Sequence, residues 1–111
     1  MEKYDFSSIL ILSEAGLHER IALQLAYQKQ IPVCLVQHGI NYNTKESYDM
    51  NAAKGALPIE SDHFLCWGKI GEEFSQNMGI NSEKVHSVGS PIFDRLRFDE
   101  HGSLKNDCVL L

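Results

Sequence analysis

Between Pro32 and Gly39 the chain reads Val33-Cys34-Leu35-Val36-Gln37-His38, and this stretch constrains the fold more than any other. Pro32 cannot continue a helix, so any helical period before it must end there. The short apolar run that follows, with β-branched residues at both ends, reads as a strand buried on both faces, the kind found in parallel sheets. It halts at polar Gln37, titratable His38 and Gly39, a residue with backbone angles closed to the others. In open α/β sheets, ligands bind just beyond the carboxyl ends of the strands. His38 is therefore the first place to look for chemistry.

The flanking sequence repeats this layout. Phe6 to Leu12 reads as a first strand with a continuous Ile9–Leu12 core, followed by the short loop Ser13-Glu14-Ala15-Gly16. Leu17, Ile21 and Leu25, with Ala22 and Ala26 beside them, recur at helical spacing and predict an amphipathic helix over 17–29. His63 to Trp67 is a third strand ended by Gly68. Ile70, Phe74 and Met78 mark one face of a helix over 69–78, with Gly79 placed as its C-cap. Val85 to Val88 is a fourth strand ended by Gly89-Ser90-Pro91, and a short helix is expected from Ile92 to Phe98. Residues 41–61 show no sustained period and read as a substrate-side loop with a helical turn near 48–54. The order predicts an α/β fold: a Rossmann-like parallel sheet of about four strands with flanking helices.

Composition narrows the function classes. A chain of 111 residues, 43% hydrophobic and 23% charged, is one domain at most and can build a core. A net charge of −5 with scattered Lys and Arg argues against a nucleic-acid partner. No apolar run approaches the ~20 residues of a membrane helix, and Met1-Glu2-Lys3-Tyr4-Asp5 lacks the apolar region of a signal peptide. Cytoplasm is the expected compartment. Cys34, Cys66 and Cys108 each sit in apolar runs without CxxC spacing, so reduced buried thiols are expected rather than disulfides or a zinc site. No internal repeat is visible. A polar stretch from Asp99 to Asp107 leads into apolar Cys108-Val109-Leu110-Leu111. The reading divides the chain into a Rossmann-like portion over 1–98 and, over 99–111, a linker entering a further domain. Such a portion would expose an apolar cleft or sheet edge, so self-association is expected.

Three motifs fall together: Gln37-His38-Gly39-Ile40 ending one strand, Trp67-Gly68 ending the next, and Val88-Gly89-Ser90-Pro91-Ile92-Phe93-Asp94-Arg95-Leu96. In this order, with the first and last about fifty residues apart, the chain resembles the second half of the N-terminal domain of a GT-B-type transferase. The likeness is to bacterial capsule polysaccharide synthesis proteins and to the CDP-glycerol glycerophosphotransferases of teichoic-acid assembly, and covers roughly residues 5–98. UDP-N-acetylglucosamine 2-epimerases share the two-domain architecture. The resemblance implies two Rossmann-like domains facing across a cleft, with the second binding the nucleotide of an activated sugar or of CDP-glycerol. It also implies a carbohydrate or polyol-phosphate acceptor, a parent protein at the inner face of the membrane, and His38 as the base on an acceptor hydroxyl. Gly89-Ser90-Pro91 would mark the exit toward the interdomain hinge. No second domain is present in these residues, so no nucleotide site is placed.

Each candidate has a plainer reading beside it. An imidazole suits proton transfer near neutral pH, but His38 could equally order the following loop by hydrogen bonding its backbone. Polar Gln37 and Gly39 would let a ligand approach the strand end, and a turn glycine explains Gly39 too. Glu14 and Gly16 precede a helix whose free N–H groups suit an anion, although a carboxylate there is also a favourable charge at the helix N-terminus. Gly89 and Ser90 offer an open strand end, Ser90 with a hydroxyl for a phosphate, while Pro91 suits the start of a helix. Trp67 fits a core better than a stacking platform. His18 reads as exposed, and His63 and His86 read as structural, with no metal-ligand spacing. No cofactor or metal is expected. P-loop, GxGxxG, HExxH and GxSxG motifs are absent, which excludes the self-contained enzymes built on them. Three functions remain open: a transferase half, an epimerase of the same architecture, and a non-catalytic α/β binding module.

Overall fold

The computed structural model describes residues 5–39 and 55–93. Within them run β1 (Ile9–Ile11), α1 (Leu17–Lys29), β2 (Val33–Val36), β3 (His63–Cys66), α2 (Lys69–Asn77), a 3₁₀ turn (Ser82–Lys84) and β4 (Val85–Ser87). The strands form a four-stranded sheet in the order β1-β2-β3-β4, every neighbouring pair parallel. The α/β class, the parallel sheet and the helices expected over 17–29 and 69–78 are present. The 48–54 turn, the Ile92–Phe98 helix beyond Phe93, residues 99–111 and Cys108 lie outside the described residues.

Register fixes which side chains share a face. Ile9 is opposite Val33, Ile11 opposite Leu35, Leu35 opposite Phe64, and Phe64 opposite Val85. These residues, with Cys66, pack against Leu23 and Ala26 of α1 in one core. Complete burial of side chains such as Leu35 and Phe64 contributes about 1.5–3 kcal/mol each. Helix α2 lies on the same side: a Cβ on Gly71 would come within 2.9 Å of the Cys66 Cβ. The absence of a side chain there is what lets the helix sit so low. Phe74 then meets Leu57, Met78 and Ile80 in a second cluster.

The strand readings need one correction. β2 was expected to be buried on both faces and Ile9–Leu12 to be continuous core. Instead burial alternates along β1, β2 and β3, and Leu10 and Leu12 are 65% and 58% exposed. The reason is topological. Right-handed crossovers that always step to the next strand in the same direction place every connection on one face. Both helices fall on that face, and no described element packs across the side that carries Leu10, Cys34, Val36 and Leu65.

Helix α1 matches its predicted span, but its buried stripe is Leu23 and Ala26, whereas Leu17 and Ile21 are 72% and 49% exposed. Ala26 is buried and Leu25 half-buried, in keeping with the expected face, while Leu17 and Ile21 at its N-terminal end are left outward. Gln30 closes the helix in the left-handed region at φ 55°. Its N–H donates to the Tyr27 carbonyl at 3.2 Å and that of Ile31 to the Ala26 carbonyl at 2.9 Å, the bond pair of a Schellman closure. In α2, Phe74 is buried as expected while Ile70 is exposed. Gly79, at φ +85°, takes its expected place after the last turn.

Residues 55–62 are tied down at several points. The Glu14 N–H donates to the Gly55 carbonyl at 2.9 Å. The Val33 N–H donates to the Asp62 carboxylate at 2.8 Å, and the Asp62 N–H to the Val33 carbonyl at 3.0 Å. Lys84 Nζ donates to the Ser61 carbonyl at 3.0 Å, and Arg20 pairs with Glu60 at 3.2 Å. Leu57 and Pro58 are fully buried between these anchors.

Candidate functional site at the strand carboxyl ends

Parallel strands deliver their last residues to one rim, so Gln37, Trp67 and Val88 arrive together by topology. Their backbones are linked: Gln37 N–H donates to the Leu65 carbonyl at 3.0 Å and Val88 N–H to the Cys66 carbonyl at 2.9 Å. The Gln37 side chain adds a brace. Its Nε2 donates to the Gly39 carbonyl at 2.7 Å, and its Oε1 accepts the Trp67 N–H at 2.9 Å. One amide thus holds the turn after β2 and the end of β3, with His38 at the tip of the braced turn.

His38 is exposed, and no described residue hydrogen-bonds its ring. Gly39 is exposed as well, with open space where a Cβ would stand. Helix α2 starts immediately after Gly68, which provides no side-chain cap, so the first-turn N–H groups keep their capacity for an anion or a carbonyl. Two further polar atoms near this rim, Trp67 Nε1 and Ser90 Oγ, are buried without a hydrogen-bond partner among the described residues. The Trp67 ring meets Phe93 edge-on at 5.8 Å and 86°. Trp67 is half-buried, so it belongs partly to the core and partly to the rim.

The other sequence candidates fall in two places. Gly89 takes φ +82°, the left-handed region that favours glycine, and with Ser90 it forms the exit from β4, where the Ser90 carbonyl accepts the Phe93 N–H at 3.0 Å. Gly16 is the extended N-cap of α1, without a side-chain cap. Glu14 departs from its expected place at the helix N-terminus. It is 5% exposed, and its carboxylate accepts the backbone N–H groups of Ile59, Glu60 and Ser61 at 2.8–3.2 Å. Those bonds commit it to holding the approach to β3.

Burial pushes the Cys66 and Cys34 thiols up, and the carboxylates of Glu72 and Asp62 respectively add to the effect. Both are free; Cys66 is buried as expected, whereas Cys34 is only half-buried. Among the described residues no group of three or more His, Cys, Asp or Glu gathers to hold a metal ion.

Two features of the structure have no signal in the sequence. A cavity of about 420 Å³ lies at the opposite rim, lined by Leu23, Tyr27, Pro32, Glu60 and Asp62 among others. Second, His63 and His86 are in contact, Nδ1 to Nε2, at 3.1 Å. Only the β3–β4 register brings these positions together, and nothing in their sequence spacing announces it.

Among the described residues no helix is long and apolar enough to cross a membrane. Comparison with protein-family models, with curated proteins and with solved structures gives no match.

Proposed function

We propose that this chain is the acceptor-side α/β portion of a GT-B-type transferase of cell-surface polysaccharide assembly, working on the cytoplasmic side of the membrane. The unit moved is a sugar or glycerol phosphate, from a nucleotide-activated donor to a carbohydrate or polyol-phosphate hydroxyl. The observation that carries the reading is the solvent-open His38 imidazole on a turn braced by Gln37, at the rim where α/β sheets bind ligands. Neutral His38 accepts the proton of the acceptor hydroxyl as its oxygen bonds to the transferred carbon or phosphorus. The bond from that atom to the departing nucleotide breaks in the same step, and the nucleotide leaves with the electron pair. The uncapped α2 N-terminus, Trp67 Nε1 and Ser90 Oγ are donors suited to the phosphate or hydroxyls of the acceptor. Donor phosphates fall to a second domain.

The epimerase alternative draws less support, because it calls for carboxylates lining the cleft and Glu14 is engaged with the 59–61 backbone. A binding module without catalysis differs in one outcome: it keeps its function when His38 is replaced.

Trp67 is the sole tryptophan of the chain and reports on this rim. Titration with glycerol 3-phosphate should produce a saturable change in its fluorescence, and titration with CDP-glycerol or UDP-N-acetylglucosamine a weaker one. Silence toward every polyol phosphate and sugar tested would sink the acceptor-site reading. In a two-domain protein carrying this unit, His38→Ala should abolish turnover without changing the circular dichroism spectrum; retained turnover removes His38 from catalysis.

A further inference from the structure

The contact between His63 and His86 lies away from the strand-end rim and has no part in the reading above. His63 opens β3, and His86 is the middle residue of β4. The register sets Leu65 opposite His86 and Cys34 opposite His63, so both imidazoles rise from the sheet side that no described element covers. Their rings are 5.1 Å apart between centroids and tilted by 54°. His63 Nδ1 and His86 Nε2 face each other at 3.1 Å. In the neutral pair one nitrogen donates its proton and the other offers its lone pair. Among the described residues the remaining ring nitrogens have no hydrogen-bond partner, so nothing else fixes the tautomer of either ring.

From this geometry we infer a two-histidine binding site for a borderline transition-metal ion such as Zn²⁺ or Ni²⁺. Imidazole nitrogens ligate zinc at about 2.0–2.1 Å. Two nitrogens 3.1 Å apart, each at that distance from one ion, subtend an angle of about 95–100° at the metal, between the octahedral and tetrahedral values. Replacing the shared proton by an ion therefore asks for reorientation of the rings rather than a change in strand spacing. The site lies on adjacent strands of a hydrogen-bonded sheet, which supplies the rigidity a chelate needs. Cys34 stands beside His63 in register, and among the described residues no third protein ligand gathers with the pair. Water completes the coordination, and access from the open side allows it. The ion competes with protons for both nitrogens, so binding weakens as pH falls.

Calorimetric titration of the intact chain with ZnCl₂, and separately NiCl₂, under reducing conditions tests the site. One ion per chain is expected to bind saturably. H63Q and H86Q should each weaken that binding at least tenfold, while H18Q leaves it unchanged. Equal affinity in the wild type and both variants, or uptake that never saturates, would overturn the proposal. A second reading needs no variant: imidazole ¹⁵N spectra of the wild type should show Zn²⁺ moving His63 Nδ1 and His86 Nε2 together. Movement of other histidine nitrogens instead assigns the ion elsewhere and rejects this site.

Discussion

Glu14 Oε1 accepts the Ser61 N–H at 2.8 Å, which couples the end of β1 to the segment entering β3 across 47 positions of sequence. The same carboxylate takes the N–H groups of Ile59 and Glu60. Three backbone donors that β-pairing does not serve are thereby satisfied by one side chain. Glu14→Ala removes the acceptor from the Glu60 N–H and from the N–H of buried Ser61, while the Ile59 N–H keeps the Leu57 carbonyl at 2.9 Å, and unmet buried hydrogen-bonding groups cost about 1–3 kcal/mol each. Partial relaxation toward water keeps the expected loss to about 2–4 kcal/mol in all. Urea unfolding followed by circular dichroism measures it, and a loss below about 0.5 kcal/mol would mean the carboxylate does not hold this segment.

Gly55 offers a second test of the same junction. Its φ of +87° lies in the left-handed region, and a Cβ there would stand 2.6 Å from the Ala15 Cβ and 2.9 Å from the Ala15 nitrogen. Backbone strain and a collision with backbone act together, so Gly55→Ala should destabilise by about 2–4 kcal/mol. Gly39→Ala, at a position with no atom within 4 Å of the new carbon, should cost under about 1 kcal/mol. Equal losses at the two glycines would contradict the close docking of residue 55.

The thiols give a pH dependence. In the folded chain Cys66 and Cys34 are raised above their ordinary value by burial first, then by nearby carboxylates and, for Cys66, against the backbone hydrogen bond to Gly68. The folded state favours the neutral thiol, so this contribution is fully present below the unfolded-state value of about 8.5. It is lost as pH rises through the folded values. Stability should therefore decline above about pH 8.5, and less so in a Cys66→Ala, Cys34→Ala chain. Alkylation of Cys66 by iodoacetamide at pH 8 should run well below the rate in urea; equal rates would remove the protection.

The sheet side that no described element covers predicts behaviour in solution. Leu10 and Leu12 are more than half exposed, and parallel sheets are ordinarily covered on both faces. The isolated chain should bind anilinonaphthalene sulfonate and self-associate at high concentration. Leu10→Lys and Leu12→Glu should reduce both with a stability change within about 0.5 kcal/mol, as expected at exposed positions. Light scattering decides the matter: a wild-type chain that stays monodisperse at every concentration argues against an adhesive face.

What was legible in the sequence was local. Helix α1 follows from apolar spacing and is stopped before Pro32; β2 follows from Val33–Val36 and the polar break at Gln37. His38, Gly39, Gly89 and Ser90 were reachable as candidates because a parallel sheet sends its strand ends to one rim. The face of each element was a different matter. The stripe read over Leu17, Ile21, Leu25, Ala22 and Ala26 holds Ala26, but only packing against the sheet adds Leu23 and leaves Leu17 and Ile21 outward. The composition of β2 reads as burial on both faces, yet strand order and crossover handedness put both described helices on one side. The Gln37 brace, the Glu14 clamp and the His63–His86 contact each join residues from 23 to 47 positions apart. Periodicity carries no information across such separations. Short-range sterics and hydrophobic period are written in the order of residues; register and chain crossing arise only when strands pair, and they decide which side chains meet.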